Sequence, residues 1–159
     1  MLLIALTLTA AQLPPEPMRV ELARDPINDR MRASAVLREG GNRLVVSCIT
    51  GDEDGPRITY HSRRWLARGH LLSGKRRLTY RFDDHRPRRM FWDVENRRAT
   101  LTRDRRVATF LRDLATSQRL VIRARDTEGR LFDAIFHLNN AGPAVDQALR
   151  TCSEASSDS

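Results

Sequence analysis

Cysteine is scarce in this sequence, which uses it only at Cys48 and Cys152. No Cys-x-x-Cys pair can form, the four histidines show no spacing of four residues on a predicted helix, and no His-Glu-x-x-His motif occurs. Zinc sites in proteins usually depend on one of these ligand patterns. The sequence therefore gives no support for a metal centre, and we expect neither a metal nor a cofactor.

Motifs of nucleotide-binding and hydrolytic enzymes are also missing. The segment 73–75, Ser-Gly-Lys, lacks the first glycine and the length of a phosphate-binding loop, and no Gly-x-Ser-x-Gly elbow occurs. The acidic segment 51–55 has neither the ligand spacing nor the twelfth-position glutamate of a calcium loop, and we interpret it as a hairpin turn. We therefore expect a protein that is not an enzyme.

One short cluster keeps an enzymatic alternative open. Asp83, Asp84 and His85 place two carboxylates beside an imidazole in a predicted turn. Such groups can bind a metal or exchange protons with a substrate, although polar turns of this kind are common without any site. The alternative function is an envelope hydrolase or nuclease that uses these three residues.

Only one long uncharged apolar run occurs, at residues 2–11, and it ends in small residues. Such a run is typical of the hydrophobic and cleavage regions of a secretory signal peptide, and it is too short for a permanent membrane anchor. We predict a signal peptide over 1–11, export to the periplasm and no transmembrane anchor. The usual positive charge before the run is missing, since the first basic residue is Arg19. The alternative for this run is a buried amphipathic strand or helix.

Export places the two cysteines in an oxidising compartment, where they are expected to pair. Cys48 lies in the apolar run 44–50, and Cys152 lies on the same helical stripe as Val145 and Leu149. We predict a disulfide between them that closes a loop of about 100 residues and stabilises the fold by roughly 4 to 5 kcal/mol. The alternative is a cytosolic protein with two buried free thiols.

Lysine is almost absent: of 28 basic residues only Lys75 is a lysine, and the others are arginines. The net charge of +8 suggests nucleic acid as a ligand. A GC-rich genome produces the same bias, however, and the arginines are scattered in pairs among acidic residues. Since an exported protein seldom meets DNA, we expect the partner to be a protein or an anionic component of the envelope.

Three arginines are the candidate partner-binding residues: Arg81, Arg123 and Arg125. They lie on the predicted strands 76–83 and 119–125, and in the second strand charged residues alternate with apolar ones, so that one face is solvated and basic. A nucleic-acid-binding protein would instead gather the arginines of both strands on one continuous face without acidic residues among them.

A period of two residues dominates the chain and predicts strands separated by short turns. The predicted strands cover 31–38, 44–50, 56–62, 64–72, 76–83, 88–94, 98–102, 119–126 and 130–138. Apolar stripes with helical spacing predict helices at 104–116 and 143–152, the first capped by Asp104. We therefore predict an α+β, mainly β fold: an antiparallel sheet or sandwich of about 7–9 strands with two packing helices.

The length of 159 residues is suited to one domain. We predict an extended lead-in over the proline-containing segment 12–24, a single domain over 25–152 and a disordered tail over 153–159.

Short motifs follow one another in a characteristic order between residues 25 and 152. They are Asp25-Pro26, Asn28-Asp29, the strand from Leu44 to Cys48, the strand from Leu78 to Asp83, Trp92, the helix with Phe110 and Leu114, the hairpin with Gly129 and Phe136-His137-Leu138, and a last helix that ends in Cys152. This order resembles the type VI secretion-associated TagO/VasI family of exported, single-domain envelope proteins. Asn139-Asn140 departs from the family, in which a glycine-containing turn precedes the last helix.

The resemblance implies an envelope location, an association with type VI secretion or another envelope assembly, and no catalytic residues. Together with the residues above, it leads us to expect an exported, disulfide-clipped accessory or binding protein of the periplasm.

Overall fold

A computed structural model describes residues 16–68, 74–102 and 105–157. Within these residues the chain is mainly β, with nine strands in one antiparallel sheet and two α-helices. The predicted α+β, mainly β class is confirmed. Of the two predicted arrangements, the structure has the sheet rather than the sandwich.

The strands are β1 (Arg19–Arg24), β2 (Met31–Glu39), β3 (Asn42–Ile49), β4 (Arg57–His61), β5 (Gly74–Phe82), β6 (Arg88–Glu95), β7 (Arg98–Leu101), β8 (Arg119–Arg125) and β9 (Leu131–His137). The helices are α1 (Arg105–Thr116) and α2 (Ala141–Ser157). The order in the sheet is β1-β2-β3-β4-β7-β6-β5-β8-β9. We call β1–β4 with β7 the first half of the sheet, and β5, β6, β8 and β9 the second half.

The sheet is curled, so that strands from its two ends approach each other. The carboxylate of Glu39, at the end of β2, accepts a hydrogen bond from the backbone N–H of His137, at the end of β9, at 2.7 Å. Inside the curl, the rings of Tyr60 in β4 and Phe136 in β9 meet edge to face, with 6.2 Å between centroids. The two halves therefore enclose a common core.

One face of the sheet forms this core, and the helices cover it. In β3, for example, Leu44, Val46 and Cys48 are buried while the residues between them are only half-buried, because successive strand side chains point to opposite faces. Helix α2 packs on β1, β2, β3 and α1. We call the opposite face of the sheet, which carries most of the charged strand residues, the outer face.

The buried faces of the two halves differ in residue size. Most buried residues of the first half are small or aliphatic: Ala33, Ala35, Leu37, Leu44, Val46, Ile58 and Ala99. In the second half, Tyr80, Phe82 and Trp92 surround Phe110 of α1, with ring centroids 5.0, 5.0 and 5.9 Å from it. We call these four residues the aromatic cluster. Such edge-on and tilted ring contacts add to the free energy gained by burying the apolar rings.

Cys48 in β3 and Cys152 in α2 form a disulfide bond, which confirms the predicted pairing. Their Cα atoms lie 6.2 Å apart, within the usual range for a disulfide. Each cysteine is only 7% exposed. The bond closes a loop that spans 104 residues and fastens the last helix to the first half of the sheet.

The predicted lead-in over 12–24 contains a strand, which corrects the predicted start of the domain at residue 25. β1 pairs with β2 along its whole length, from Arg19 opposite Val36 to Arg24 opposite Met31. The strand begins after Pro17, because proline lacks the N–H group that a ladder needs. β1 lies at the sheet edge and is mostly exposed, so its sequence carries little hydrophobic alternation.

The predicted strand at 64–72 is not formed in its described part, residues 64–68. The backbone N–H groups of Leu66 and Ala67 both donate to the carbonyl of Asn96, at 2.8 and 2.9 Å. The segment is thus held against the turn between β6 and β7 instead of joining the sheet. Leu66 and Ala67 are buried in a loop, and the pattern of the sequence did not distinguish this loop from a strand.

Helix α2 is longer than the predicted 143–152, and it continues through Ser157 into the segment that was predicted to be disordered. The hydroxyl of Ser153 donates to the carbonyl of Leu149 at 3.1 Å, a local bond that serine can make within a helix.

Some predictions concern residues that lie outside the described part of the chain: the signal peptide over 1–11, the cap at Asp104, residues 69–72 and the last two residues of the tail. Neither described helix combines the length and apolar character needed to cross a membrane.

Candidate functional site

Asp83, the first residue of the predicted acidic cluster, has a structural role. Its carboxylate accepts hydrogen bonds from the backbone N–H groups of Gln118 at 3.1 Å and Arg119 at 2.8 Å. Its own N–H donates to the carbonyl of Arg119 at 2.9 Å. These bonds fix the end of β5 against the start of β8, so the carboxylate is occupied by backbone groups.

Asp84 and His85 do not join Asp83 in a shared site. The carboxylate of Asp84 is fully exposed and pairs with Arg81 at 2.7 Å. His85 is exposed, and its backbone N–H closes the turn by donating to the carbonyl of Phe82. Across the described part of the chain, no group of three or more His, Cys, Asp or Glu residues is arranged so that it could hold a metal ion.

Each of the three predicted partner-binding arginines has an intramolecular partner. Arg123 makes two parallel hydrogen bonds to Asp133 on β9, both at 2.7 Å. Arg125 donates to the carbonyl of Gly129 at 2.8 Å, and Arg81 pairs with the acidic turn that follows β5. The hydrogen bond and the charge of Asp133 raise the pKa of Arg123, and the reciprocal bond lowers the pKa of Asp133. The guanidinium groups are thus held in place while about half of each Arg81 and Arg123 side chain stays exposed.

Of the three predicted arginines, Arg123 and Arg125 line the cleft described below and Arg81 does not. The cleft also contains three arginines that were not predicted as binding residues: Arg76, Arg77 and Arg89. Thr79 in β5 lies opposite Arg89 in β6 on one side and opposite Arg123 in β8 on the other. Two residues earlier in β5, the guanidinium of Arg77 stacks over the ring of Phe91, 5.1 Å from its centroid, in a cation–π contact. The alternation along β5 predicts which face Arg77 occupies, but only the strand order shows which strands adjoin it.

A cleft of about 1300 Å³ opens where β5 and β8 diverge. The ladder between these strands joins only Thr79–Phe82 to residues 120–123, whereas β5 begins at Gly74 and β8 continues to Arg125. Beyond the ladder, Leu66, Leu78 and Ala124 line the apolar floor. Among the described lining residues there are five arginines and no carboxylate: Arg76, Arg77, Arg89, Arg123 and Arg125. We call this the arginine cleft.

A second depression of about 650 Å³ crosses the outer face of the first half and reaches β6. Its charged residues are mixed in sign, with four arginines and three carboxylates among the described lining residues: Arg32, Arg43, Arg57, Arg98, Glu21, Asp93 and Glu95. Arg57 pairs with Asp52 at 2.6 Å, outside the lining, and Arg98 pairs with Glu95. We call this the mixed-charge groove. Its positive charge is largely compensated by neighbouring carboxylates.

His61 lies in the middle of the mixed-charge groove, opposite Arg43 in β3 and Arg98 in β7. Burial lowers the pKa of His61, and the positive charges of Arg43 and Arg98 lower it further. The Nη2 atom of Arg43 lies 3.2 Å from the Nε2 atom of His61. A neutral imidazole can accept this hydrogen bond, and a protonated one cannot.

The turn between β8 and β9, beside the arginine cleft, is organised by the buried carboxylate of Asp126. The carboxylate accepts from the backbone N–H groups of Glu128 at 3.0 Å and Arg130 at 2.9 Å, and from the side chain of Arg64 at 3.1 Å. Burial alone would raise the pKa of Asp126, but these bonds outweigh it and lower the pKa below its ordinary value. This carboxylate joins the loop at 62–68 to the β8–β9 hairpin and so holds one wall of the cleft.

No protein-family model, curated protein or solved structure matches this chain.

Proposed function

We propose that this protein is an exported, disulfide-clipped accessory or binding protein of the periplasm that acts through contacts and not through catalysis. The observation that carries the proposal is the Cys48–Cys152 disulfide. Disulfides persist in oxidising compartments and are rare in the cytosol. The apolar run at 2–11 supplies a route to such a compartment, as a signal peptide that is removed on export.

The binding role is supported by the outer face of the second half, where exposed arginines are held in defined positions. Arg123 is fixed by Asp133 and Arg77 by stacking on Phe91. Guanidinium groups that are already ordered lose less conformational entropy when they bind an anion. The partner in this proposal is a protein or an anionic component of the envelope.

The resemblance to the TagO/VasI family supports an association with type VI secretion or with another envelope assembly. The hydrolase or nuclease alternative has no comparable support, because the Asp83 carboxylate is occupied by two backbone N–H groups and Asp84 is paired with Arg81.

A fractionation experiment tests this proposal. The full chain carries a carboxyl-terminal tag in a Gram-negative host, and free thiols are blocked by alkylation at lysis. We expect the protein in the periplasmic fraction, shortened at its amino terminus and without an alkylated cysteine. A matched variant that lacks residues 2–11 should remain in the cytosol with both thiols alkylated. Full-length protein with two free thiols in the cytosol would contradict the proposal.

A further inference from the structure

We propose that the arginine cleft binds a linear polymer that carries phosphate on its repeating units. This inference rests on the proposed binding role and specifies its ligand, but it does not depend on export. The nearest alternative occupants, an acidic polypeptide and a nucleic acid, are outcomes of the test below.

The shape of the cleft favours an extended ligand. It follows the line along which β5 and β8 separate, from the last paired residues, Thr79 and Arg123, to Arg77 and Arg125 near its far end. Neighbouring strands in a sheet are about 5 Å apart, and residues two positions apart on one strand are separated by about 7 Å. The cleft thus spaces its guanidinium groups along a path that one compact ion is too small to cover.

The charges of the cleft are only partly compensated within the protein. Arg123 has Asp133 as its partner. For Arg77 the stacking on Phe91 supplies no negative charge, and Arg89 has no carboxylate within ion-pair distance among the described residues. The mixed-charge groove differs, because carboxylates lie among its arginines.

Phosphate fits this arrangement better than carboxylate does. A phosphate monoester carries a charge of about −1.5 to −2 near neutral pH, whereas a carboxylate and an internal unit of polyphosphate each carry about −1. The oxygens of a phosphate group can accept two parallel hydrogen bonds from one guanidinium. A polymer with regularly spaced phosphates can therefore place one anionic group near each arginine of the path. The half-buried Thr79, between Arg89 and Arg123, adds a hydroxyl that can donate to a phosphate oxygen.

The test uses the purified, oxidised protein and inorganic polyphosphate as the probe. Binding is measured by titration calorimetry at several NaCl concentrations. The cleft variant is Arg77→Gln with Arg89→Gln. The matched control is Arg19→Gln with Arg32→Gln, which also removes two positive charges, but from exposed positions of β1 and β2. Thermal unfolding establishes that both variants are folded, and Arg89→Gln alone serves if the double cleft variant is not.

We expect the cleft variant to bind polyphosphate about tenfold more weakly or worse, because charge-assisted hydrogen bonds are lost. Its slope of log affinity against log salt should become shallower by about 1 to 2, as two phosphate contacts disappear. The control should stay within about twofold of the original protein, since its charges lie outside the cleft.

Four results would overturn the proposal. The first is that polyphosphate does not bind. The second is that both double variants lose affinity equally, which would indicate attraction to net charge alone. Polyglutamate of matched length binds at least as tightly, which would assign the cleft to an acidic polypeptide. An oligothymidylate binds more tightly than polyphosphate, which would assign it to nucleic acid. None of these results bears on the fractionation experiment, and cytosolic protein could still bind the polymer.

Discussion

The two halves of the sheet achieve their stability by different means. The first half buries mostly alanine and aliphatic residues, and it is the half to which the disulfide fastens α2. The second half buries the aromatic cluster around Phe110 and has no cysteine. Large rings bury more apolar area and make many more contacts than alanine does. The half with the smaller buried residues is therefore the half that carries the covalent link.

The charged residues on the outer face of the sheet also differ between the two halves. Carboxylates accompany the arginines of the mixed-charge groove, whereas the described lining of the arginine cleft contains none. Ion pairs formed within the protein leave less charge available for a partner. This difference is the basis of the proposal that the arginines of the cleft serve binding, whereas those of the mixed-charge groove serve the fold.

Removal of the disulfide should produce the largest effect on stability. Cys48→Ser with Cys152→Ser is expected to lower the free energy of unfolding by about 4 to 5 kcal/mol, because the unfolded chain regains the freedom of a loop of about 100 residues. Guanidinium chloride denaturation with and without the two substitutions measures the difference. A loss below about 1 kcal/mol would mean that the first half does not depend on the link.

Truncation of the aromatic cluster should be nearly as costly in the second half. Phe110→Ala removes a fully buried ring that contacts three others, and the expected loss is about 3 to 5 kcal/mol. Leu111→Ala, at the neighbouring and only partly buried position, is the matched control, with an expected loss of about 1 kcal/mol. Equal losses for the two variants, measured by denaturation, would remove the aromatic cluster from the explanation.

Neutralising one arginine of the mixed-charge groove and one of the arginine cleft compares the two halves of the outer face directly. Arg57→Gln breaks the pair with Asp52 and should cost about 0.5 to 1 kcal/mol, since such surface pairs contribute little. Arg89→Gln should change stability by less than about 0.5 kcal/mol, because no carboxylate partner is lost. The two shifts in denaturation midpoint at low salt give the comparison. If Arg89→Gln lowers the free energy of unfolding more than Arg57→Gln does, then Arg89 serves the fold more than Arg57 does, and the comparison is contradicted.

The smallest expected effect concerns His61 and pH. Its pKa lies near 6.5 in the unfolded chain and lower in the folded protein. Between these two values the unfolded state binds more protons, so stability rises with pH through this window and is lost as the pH falls below 6.5. His61→Gln should remove this dependence, which we expect to be less than about 1 kcal/mol. Denaturation of both proteins between pH 5 and 7 reveals it, and an unchanged slope in the variant would contradict the prediction.

The sequence was sufficient to predict the strands in which apolar residues that face the core alternate with polar ones. It was also sufficient to predict the disulfide, because Cys48 and Cys152 both lie on apolar stripes. It was insufficient for β1, an edge strand with little buried surface, and for residues 64–68, where Leu66 is buried without strand pairing. Arg123 and Asp133 are symmetric about the β8–β9 turn, so a hairpin register could have paired them. Arg77 and Arg89 join the cleft only through the order β6-β5-β8, which residue patterns do not encode.

Hydrogen exchange measured by mass spectrometry, with and without a reductant, tests the central claim of unequal halves most directly. Local opening exposes amide groups more often where a region is less stable, so exchange is faster there. After reduction, we predict faster exchange in β2, β3 and α2, while β5, β6 and β8 keep most of their protection. Equal acceleration in both halves, or none in either, would contradict the claim that the first half depends on the covalent link.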